Sequence, residues 1–559
     1  MQGIEYKQQL NPSNEERHRM LKATLAKFNR MDDFENIISS LKPPIDITQI
    51  ASYKECKGIK VGVIGGGIAG LASAFELRKL GFDITIFEIE KNRIGGRIYT
   101  HYFDKNKKIY GELGAMRVPI SHETTWHYIN LFNLCTRPFI EANKNAYIYI
   151  RNKRVKNDSN GKNVMEKIYP EFNLTKQEKN IPWQKLVEYA LVDNILEISP
   201  SIRKELLNIK KQYSAEIEFL DNLSIRDELQ RMKLSEGAIE LISCIIPFLG
   251  TFYSNSYLEN LREDYSLDSF YRYEIVGGTV NLPLSFYNSL KSENPKEYID
   301  ISKNQLGKVK LEYGKTVFSI LEDKENNKVI LEYKGKDSKK ILNKKYDYVI
   351  CTIPLSSLRN LNIFPMFSTE KMQAIKEVNY VSSQKTIFMC NERFWEKGND
   401  NNKILGGGSF TDLPIQTIWY PSHNYSIKKH NKYGVLLASY NLGQDSIRLG
   451  NLNNNLRFES IKRQVEEVHG FSRNYLDKIV TDFKTVNWNN EPGILGGFCY
   501  FMPNQNTLFS YVLSKPEYNN KIYFAGEHVS TKHGWIQGSL NSAMNAVNLI
   551  AKHCKESKR

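Results

Sequence analysis

Lys60-Val61-Gly62-Val63-Ile64-Gly65-Gly66-Gly67-Ile68-Ala69-Gly70-Leu71 decides the fold of this chain. Val61 to Ile64 is a short apolar run with the character of a buried parallel strand. It leads into Gly65-Gly66-Gly67-Ile68-Ala69-Gly70, a G-x-G-x-x-G, and then into a helical pattern that Gly81 stops. A second strand, Asp83 to Glu88, ends on an acid. Each piece has a mechanical reason. Gly65 admits a tight turn, Gly67 lets the backbone approach a pyrophosphate, and Gly70 lets helix and strand pack closely. The helix start at Ile68 and Ala69 turns free N–H groups and a partial positive charge toward phosphate. Glu88 falls where an acid accepts hydrogen bonds from a ribose. The pattern predicts a βαβ dinucleotide-binding unit.

The chain has 559 residues, too many for one core, so two or three domains are expected. No apolar run approaches the roughly 18 residues of a membrane span. Met1 to Arg30 lacks the apolar core of a secretory signal. Seven cysteines are scattered without a C-x-x-C, which reads as reduced thiols in a cytoplasmic protein, with no disulfide framework and no metal site. Lys and Arg number 77 against 62 acids, a net charge of +15. The lysines are mixed with Asn and acids, and the runs Lys105–Lys108 and Lys339–Lys345 carry no interleaved aromatics. A solvated surface is expected, with neither nucleic acid nor membrane as partner.

The residues after the second strand select the cofactor. Arg93-Ile94-Gly95-Gly96-Arg97 comes directly after it, and here the chain resembles the flavin-dependent amine oxidases. The resemblance implies that the Gly96 backbone and the Arg97 guanidinium serve the phosphates of FAD, a task suited to arginine's planar fork. Gly111-Glu112-Leu113-Gly114-Ala115-Met116-Arg117-Val118-Pro119 is similar, nearly letter for letter, to a loop of the L-amino acid oxidases. By that likeness Gly114, Ala115 and Met116 pass beside the flavin ring, and Arg117 grips the substrate carboxylate at two points. Asn145-Ala146-Tyr147, Arg151 to Val155 and Thr411-Asp412-Leu413-Pro414 continue the likeness.

The same resemblance implies the other roles. Glu274 to Pro283 looks like the turn that returns the chain to the cofactor domain, and Val317 matches a valine under the adenine. Lys385 stands ten residues before Trp395 and matches a lysine that holds a water against flavin N5. A lysine among Thr, Ile, Phe and Met is costly to bury without a purpose. Tyr440 matches the tyrosine that shares the carboxylate, and Leu442 a pocket wall; strand alternation puts both on one face. Trp488 and Phe498 match further walls, with Trp488 also beside the flavin. Gly526 and Glu527 match the ribityl–phosphate contact. Gly534, Trp535 and Ile536 match the flavin pyrimidine contact, with Trp535 over the substrate amine and Gly534 near its carboxylate. The helix start there favours negative charge on a reduced flavin. His528 and His533 are not expected to act as bases. Monoamine oxidases carry Gly-Gly-Cys-Tyr, whose cysteine is bonded to the flavin. Here Gly496-Gly497-Phe498-Cys499-Tyr500 has one residue more, which moves the cysteine to the other strand face. Non-covalent FAD is therefore expected.

The expected fold class is α/β: a Rossmann-type FAD-binding domain, a mixed-sheet α+β substrate-binding domain and a helical insert. Residues 1–57 form a helical leader, and 58–98, 271–378 and 516–559 a discontinuous FAD-binding domain. Residues 99–164 and 379–515 form the substrate-binding domain, and 165–270 a helical domain at the active-site entrance. Within it, Trp183 to Leu196, Ile202 to Tyr213 and Asp227 to Leu249 read as helices; in the FAD-binding domain, 308–313, 317–322 and 328–334 read as a three-stranded meander. The expected reaction is FAD-dependent oxidative deamination of an L-amino acid, with an apolar or aromatic side chain, to a 2-oxo acid, ammonia and hydrogen peroxide. An acid from the helical insert would instead select lysine or arginine. Substrate and oxygen are the expected partners, and a homodimer would fit the family. The rival readings are an amino-acid monooxygenase that forms the amide, an amine or polyamine oxidase, and a non-catalytic FAD-binding scaffold.

Overall fold

A computed structural model describes residues 7–189, 193–422 and 432–557. Its centre is a five-stranded parallel sheet. Strand β1 (Lys60–Ile64) lies between β2 (Asp83–Glu88) and the strand Tyr348–Cys351, with Val309–Tyr313 and Ile522–Phe524 at the edges. β1 alternates no polarity, because after Lys60 every residue is buried on both faces. The helix from the glycine-rich turn, Ile68–Arg78, is likewise buried at every position, packed against the sheet and the last helix, Ile536–Glu556.

Two sequence expectations change here. The strand 308–313 is not part of the meander. It pairs in parallel with β2 as the edge of the central sheet. Gly314, at φ +58°, then turns the chain into a separate antiparallel set, Lys315–Asp323, Lys328–Gly335 and Ile341–Tyr346. A half-exposed edge strand has the same alternation in either sheet, so periodicity could not assign it.

The insert is helical but more finely divided than its periodicity suggests. Asp227 to Leu249 is two main helices, Ile225–Arg231 and Glu236–Ile245, with the short Leu249–Phe252 beyond. Ile202 to Tyr213 reduces to Pro200–Arg203 and a 3₁₀ turn, and Trp183 to Leu196 to Trp183–Val187 and a 3₁₀ turn at Asp193–Glu197. Residues 190–192 of that last stretch lie outside the described residues. The dividing agents are serines. Ser214, Ser224, Ser235 and Ser256 each accept a backbone N–H at a new helix start.

The second large sheet has seven strands, Val480–Asn487, Ser383–Cys390, Gly434–Leu442, Thr417–Trp419, Gly408–Thr411, Tyr147–Ile150 and Lys153–Lys156 in that order. The leader helices, Asn14–Lys27 and Phe34–Leu41, close against the core. Buried Arg17 bonds Glu123 at 2.6 Å, and Gln537 of the last helix donates to the Leu41 carbonyl at 2.7 Å.

Candidate active site

The parallel sheet and the seven-stranded sheet meet over a cavity of about 370 Å³. Its walls run from Glu88 and Val317, past Gly65, Gly67, Ile68, Ala69, Gly96, Arg97, Gly526 and Glu527, to Gly114, Ala115, Lys385, Tyr440, Trp488, Phe498, Gly534, Trp535 and Ile536. Segments hundreds of residues apart in sequence thus form one elongated wall.

At the first end Glu88 is fixed by backbone. It accepts from Gly66 N at 2.9 Å and Glu90 N at 2.8 Å. Gly67 and Gly95 form an isolated bridge, so bare backbone faces the cavity there. Gly70 does not line the cavity. A Cβ on it would stand 2.0 Å from the Gly65 carbonyl oxygen, so no side chain fits between turn and helix. Gly70→Val is expected to yield soluble protein without a flavin absorbance band, or no folded protein; wild-type flavin content measured from the visible band would count against the cradle.

In the middle, Arg97 Nη1 bonds Glu527 at 2.7 Å. Burial works to raise the Glu527 carboxyl, but the Arg97 charge and the Gly534 N–H oppose it and hold the group ionised. Glu527 also accepts from Cys499 N and Gly534 N. Phe498 faces the cavity while the Cys499 thiol is buried away from it, as strand alternation requires. His528 is pushed down to about 3 by burial, and His533 is tied to Glu259 at 2.7 Å.

At the far end Lys385 Nζ donates to the Gly114 carbonyl at 2.7 Å, with Met116 Sδ at 3.5 Å, and lies 4.2 Å from the centre of the Tyr440 ring. Burial, and then the charge of Arg117, push it down to about 7, against the pull of Glu112. Glu112 is itself raised to about 7 by burial. Trp488 is locked by its Nε1 bond to the Leu113 carbonyl at 3.0 Å. Arg117 and Met116 stand just behind the lining. The Arg117 guanidinium packs on Trp419 and Phe139, 4.7 and 5.4 Å from the ring centres, and meets Glu141 at 3.3 Å. Burial raises the Tyr440 phenol, and the charge of Arg117 is the largest influence opposing it. Leu442 is buried in a small apolar cluster with Val381 and Tyr500, against Phe248 and Phe252.

Glu141, Arg272 and Glu263 were not singled out by the sequence, and Phe248 reads there, with the other aromatics of the insert, as core rather than as a substrate gate. Glu141 joins Arg117 to Arg272, which it meets at 3.0 Å, and Arg272 lies over the Trp535 ring. Glu263 accepts from Trp535 Nε1 at 3.2 Å. Phe248 packs on Tyr440 at 4.7 Å with φ +69°, a left-handed backbone rare for a bulky side chain. No local pattern marks these positions.

Comparison with known proteins gives a consistent set. Residues 68–551 match the family model for flavin-containing amine oxidoreductases. An L-amino acid oxidase of Crotalus durissus terrificus, bordonein-L, is 27% identical over 520 residues, covering 92% of this chain and 90% of that one. The L-amino-acid oxidase BmooLAAO-I of Bothrops moojeni is 29% identical over 494 residues, covering 87% and 88%. Among solved structures, a putrescine oxidase bound to putrescine superposes with a TM-score of 0.65 at 14% identity, over 88% of this chain and 99% of that one.

Proposed function

This chain belongs to the flavin-containing amine oxidoreductases, and from that premise we propose that it is an FAD-dependent L-amino acid oxidase. The observation that carries the reading is the far end of the cavity, where Arg117, Tyr440 and Lys385 converge from three separate segments. An arginine beside a tyrosine suits a carboxylate, which a simple amine lacks.

The residues fit the cofactor. The bare backbone at Gly67 and Gly96, the acid Glu88 at the end of β2 and the half-buried Arg97 form an elongated cradle along one wall. We assign the adenosine end to Glu88 and Val317, the phosphates to Gly67, Ile68, Ala69, Gly96 and Arg97, and the flavin ring to Gly114, Ala115, Met116, Trp488, Gly534, Trp535 and Ile536. When bound, FAD supplies the acceptor for the hydride leaving Cα and passes the electron pair to oxygen, giving hydrogen peroxide. The cofactor is held non-covalently, in keeping with a Cys499 thiol turned from the cavity.

The protein's part is placement. Arg117 and Tyr440 fix the α-carboxylate, and Trp535, Phe498 and Leu442 confine the rest of the substrate and exclude water. Lys385, with a pKa lowered to about 7, holds an ordered water beside the reacting carbon and exchanges a proton near neutral pH. The imino acid that leaves is hydrolysed to a 2-oxo acid and ammonia. In this proposal the central sheet with its meander, 58–98, 271–378 and 516–559, carries the cofactor. Segments 99–164 and 379–515 carry the substrate site, and 165–270 covers its mouth. Cytoplasmic residence and a homodimer belong to the same proposal.

The decisive experiment is anaerobic addition of single L-amino acids, D-amino acids and simple amines to the flavin-loaded enzyme. Bleaching of the visible band by L-amino acids alone is the expected result, with 2-oxo acid and peroxide as products in air. Bleaching by amines only would replace this reading with an amine oxidase, and an amide product with a monooxygenase.

A further inference from the structure

Glu263 is a half-buried acid beside the cavity, set against it by the indole of Trp535, which lines it. The helix that bears it, Tyr257–Tyr265, carries three acids. Glu259 is matched by His533 at 2.7 Å and Arg262 at 3.3 Å, and Asp264 accepts from Asn260 at 2.7 Å. Glu263 accepts one bond, from the neutral indole of Trp535, and forms no ion pair among the described residues. The nearby cations are committed elsewhere: Lys532 to Asp268 at 2.8 Å, and Arg272 to Glu141 and the Asp268 carbonyl. Burial, followed by the charge of Asp268, disfavours the ionised form of Glu263. Its charge reaches Arg117, Tyr440 and Tyr500, and its bond to Trp535 sets it against a side chain of the cavity lining. A carboxylate so placed is costly unless a cation comes to it.

The surrounding walls are aromatic. Phe248 packs on Tyr440 at 4.7 Å, and Phe252 on Tyr500 at 4.5 Å. A carboxylate bonded to the indole of a cavity lined by Tyr440, Phe498 and Trp535 suits an alkylammonium or guanidinium, whose methylene stem those rings would cover. Resting on the oxidase reading above, we propose that Glu263 makes this enzyme prefer L-amino acids with a cationic side chain (lysine, ornithine or arginine), its carboxylate taking the distal cation while Arg117 takes the α-carboxylate. An aromatic wall alone would select leucine or phenylalanine; a carboxylate beside that wall changes the choice.

The test is a ratio. With wild-type enzyme, kcat/KM for L-lysine or L-arginine is expected to exceed that for L-norleucine, the neutral analogue of lysine, by about tenfold or more. Glu263→Gln keeps an oxygen for the Trp535 indole, and is expected to lower that ratio by about tenfold. A wild type that oxidises norleucine and phenylalanine but not the basic amino acids overturns this inference and leaves the oxidase reading intact. So does a Glu263→Gln variant that loses both substrates in proportion, which would make Glu263 a support for Trp535 only. Failure of every L-amino acid to bleach the flavin defeats the oxidase reading first, and this inference with it.

Discussion

Arg117→Met is expected to lower kcat/KM for every oxidised L-amino acid by about a thousandfold, roughly 4 kcal/mol, as befits loss of one partner of a buried, hydrogen-bonded charge pair. The loss should fall mainly on KM, because the carboxylate is held alike before and during hydride departure. Methionine keeps an apolar stem against Trp419 and Phe139, so the loop should retain its shape. Glu141 keeps its second arginine, Arg272, and is not left alone in the interior. Arg117→Lys should recover little, since an ammonium cannot span both carboxylate oxygens. Steady-state kinetics on purified, flavin-loaded variants decides the matter. A loss under tenfold would remove Arg117 from the substrate site.

Lys385→Met should slow reduction of the bound flavin by about a hundredfold or more, the usual scale of a positioned proton-transfer group. Anaerobic stopped-flow absorbance reads this step directly, and a rate within twofold of wild type would refute the role. The same change should make the protein harder to unfold. Lys385 has a folded-state pKa of about 7 against 10.5 for the free side chain. Between those values the unfolded chain binds a proton that the folded chain does not, so stability rises with pH across that window. The burden is full below about pH 7 and gone above the unfolded pKa. The gain in Tm from Lys385→Met should therefore be largest in acid and fade toward pH 10. A site that is less stable for having its lysine is a familiar mark of function.

The two levels of structure were not equally readable from the chain. β1, the glycine turn and β2 lie where the apolar run, the glycines and the terminal acid place them. That local logic holds because each constraint acts within about thirty residues. The site residues supplied by motif also converge: Lys385 and Tyr440 share the far wall with Trp535, although they come from different strands and a loop. What escaped was set by long-range placement. The strand Val309–Tyr313 had no local feature to tell the parallel sheet from the meander. Glu263 sits in a helix rich in acids and polar residues that reads as solvent-facing, and only its bond to Trp535 sets it beside the cavity. The left-handed turn at Phe248 carries no glycine to announce it. The serine caps of the insert, by contrast, were in plain sight, and reading them would have divided its helices correctly.

The leader's attachment has a consequence for how the molecule is made. Leu41 is held by Gln537, 496 residues later, and Ile45 and Ile50 by Asn548 and Lys555 of the same last helix. The central sheet likewise lacks an edge until Ile522–Phe524 exists. At the usual pace of synthesis, about 5–20 residues per second, the ribosome needs roughly half a minute or more to deliver those partners. During that interval the earliest helices and β1 must wait with their apolar faces uncovered. The cofactor half of this protein is thus completed only once the helix Ile536–Glu556 has emerged from the ribosome, and the nascent chain is a natural client for chaperones that shield such faces.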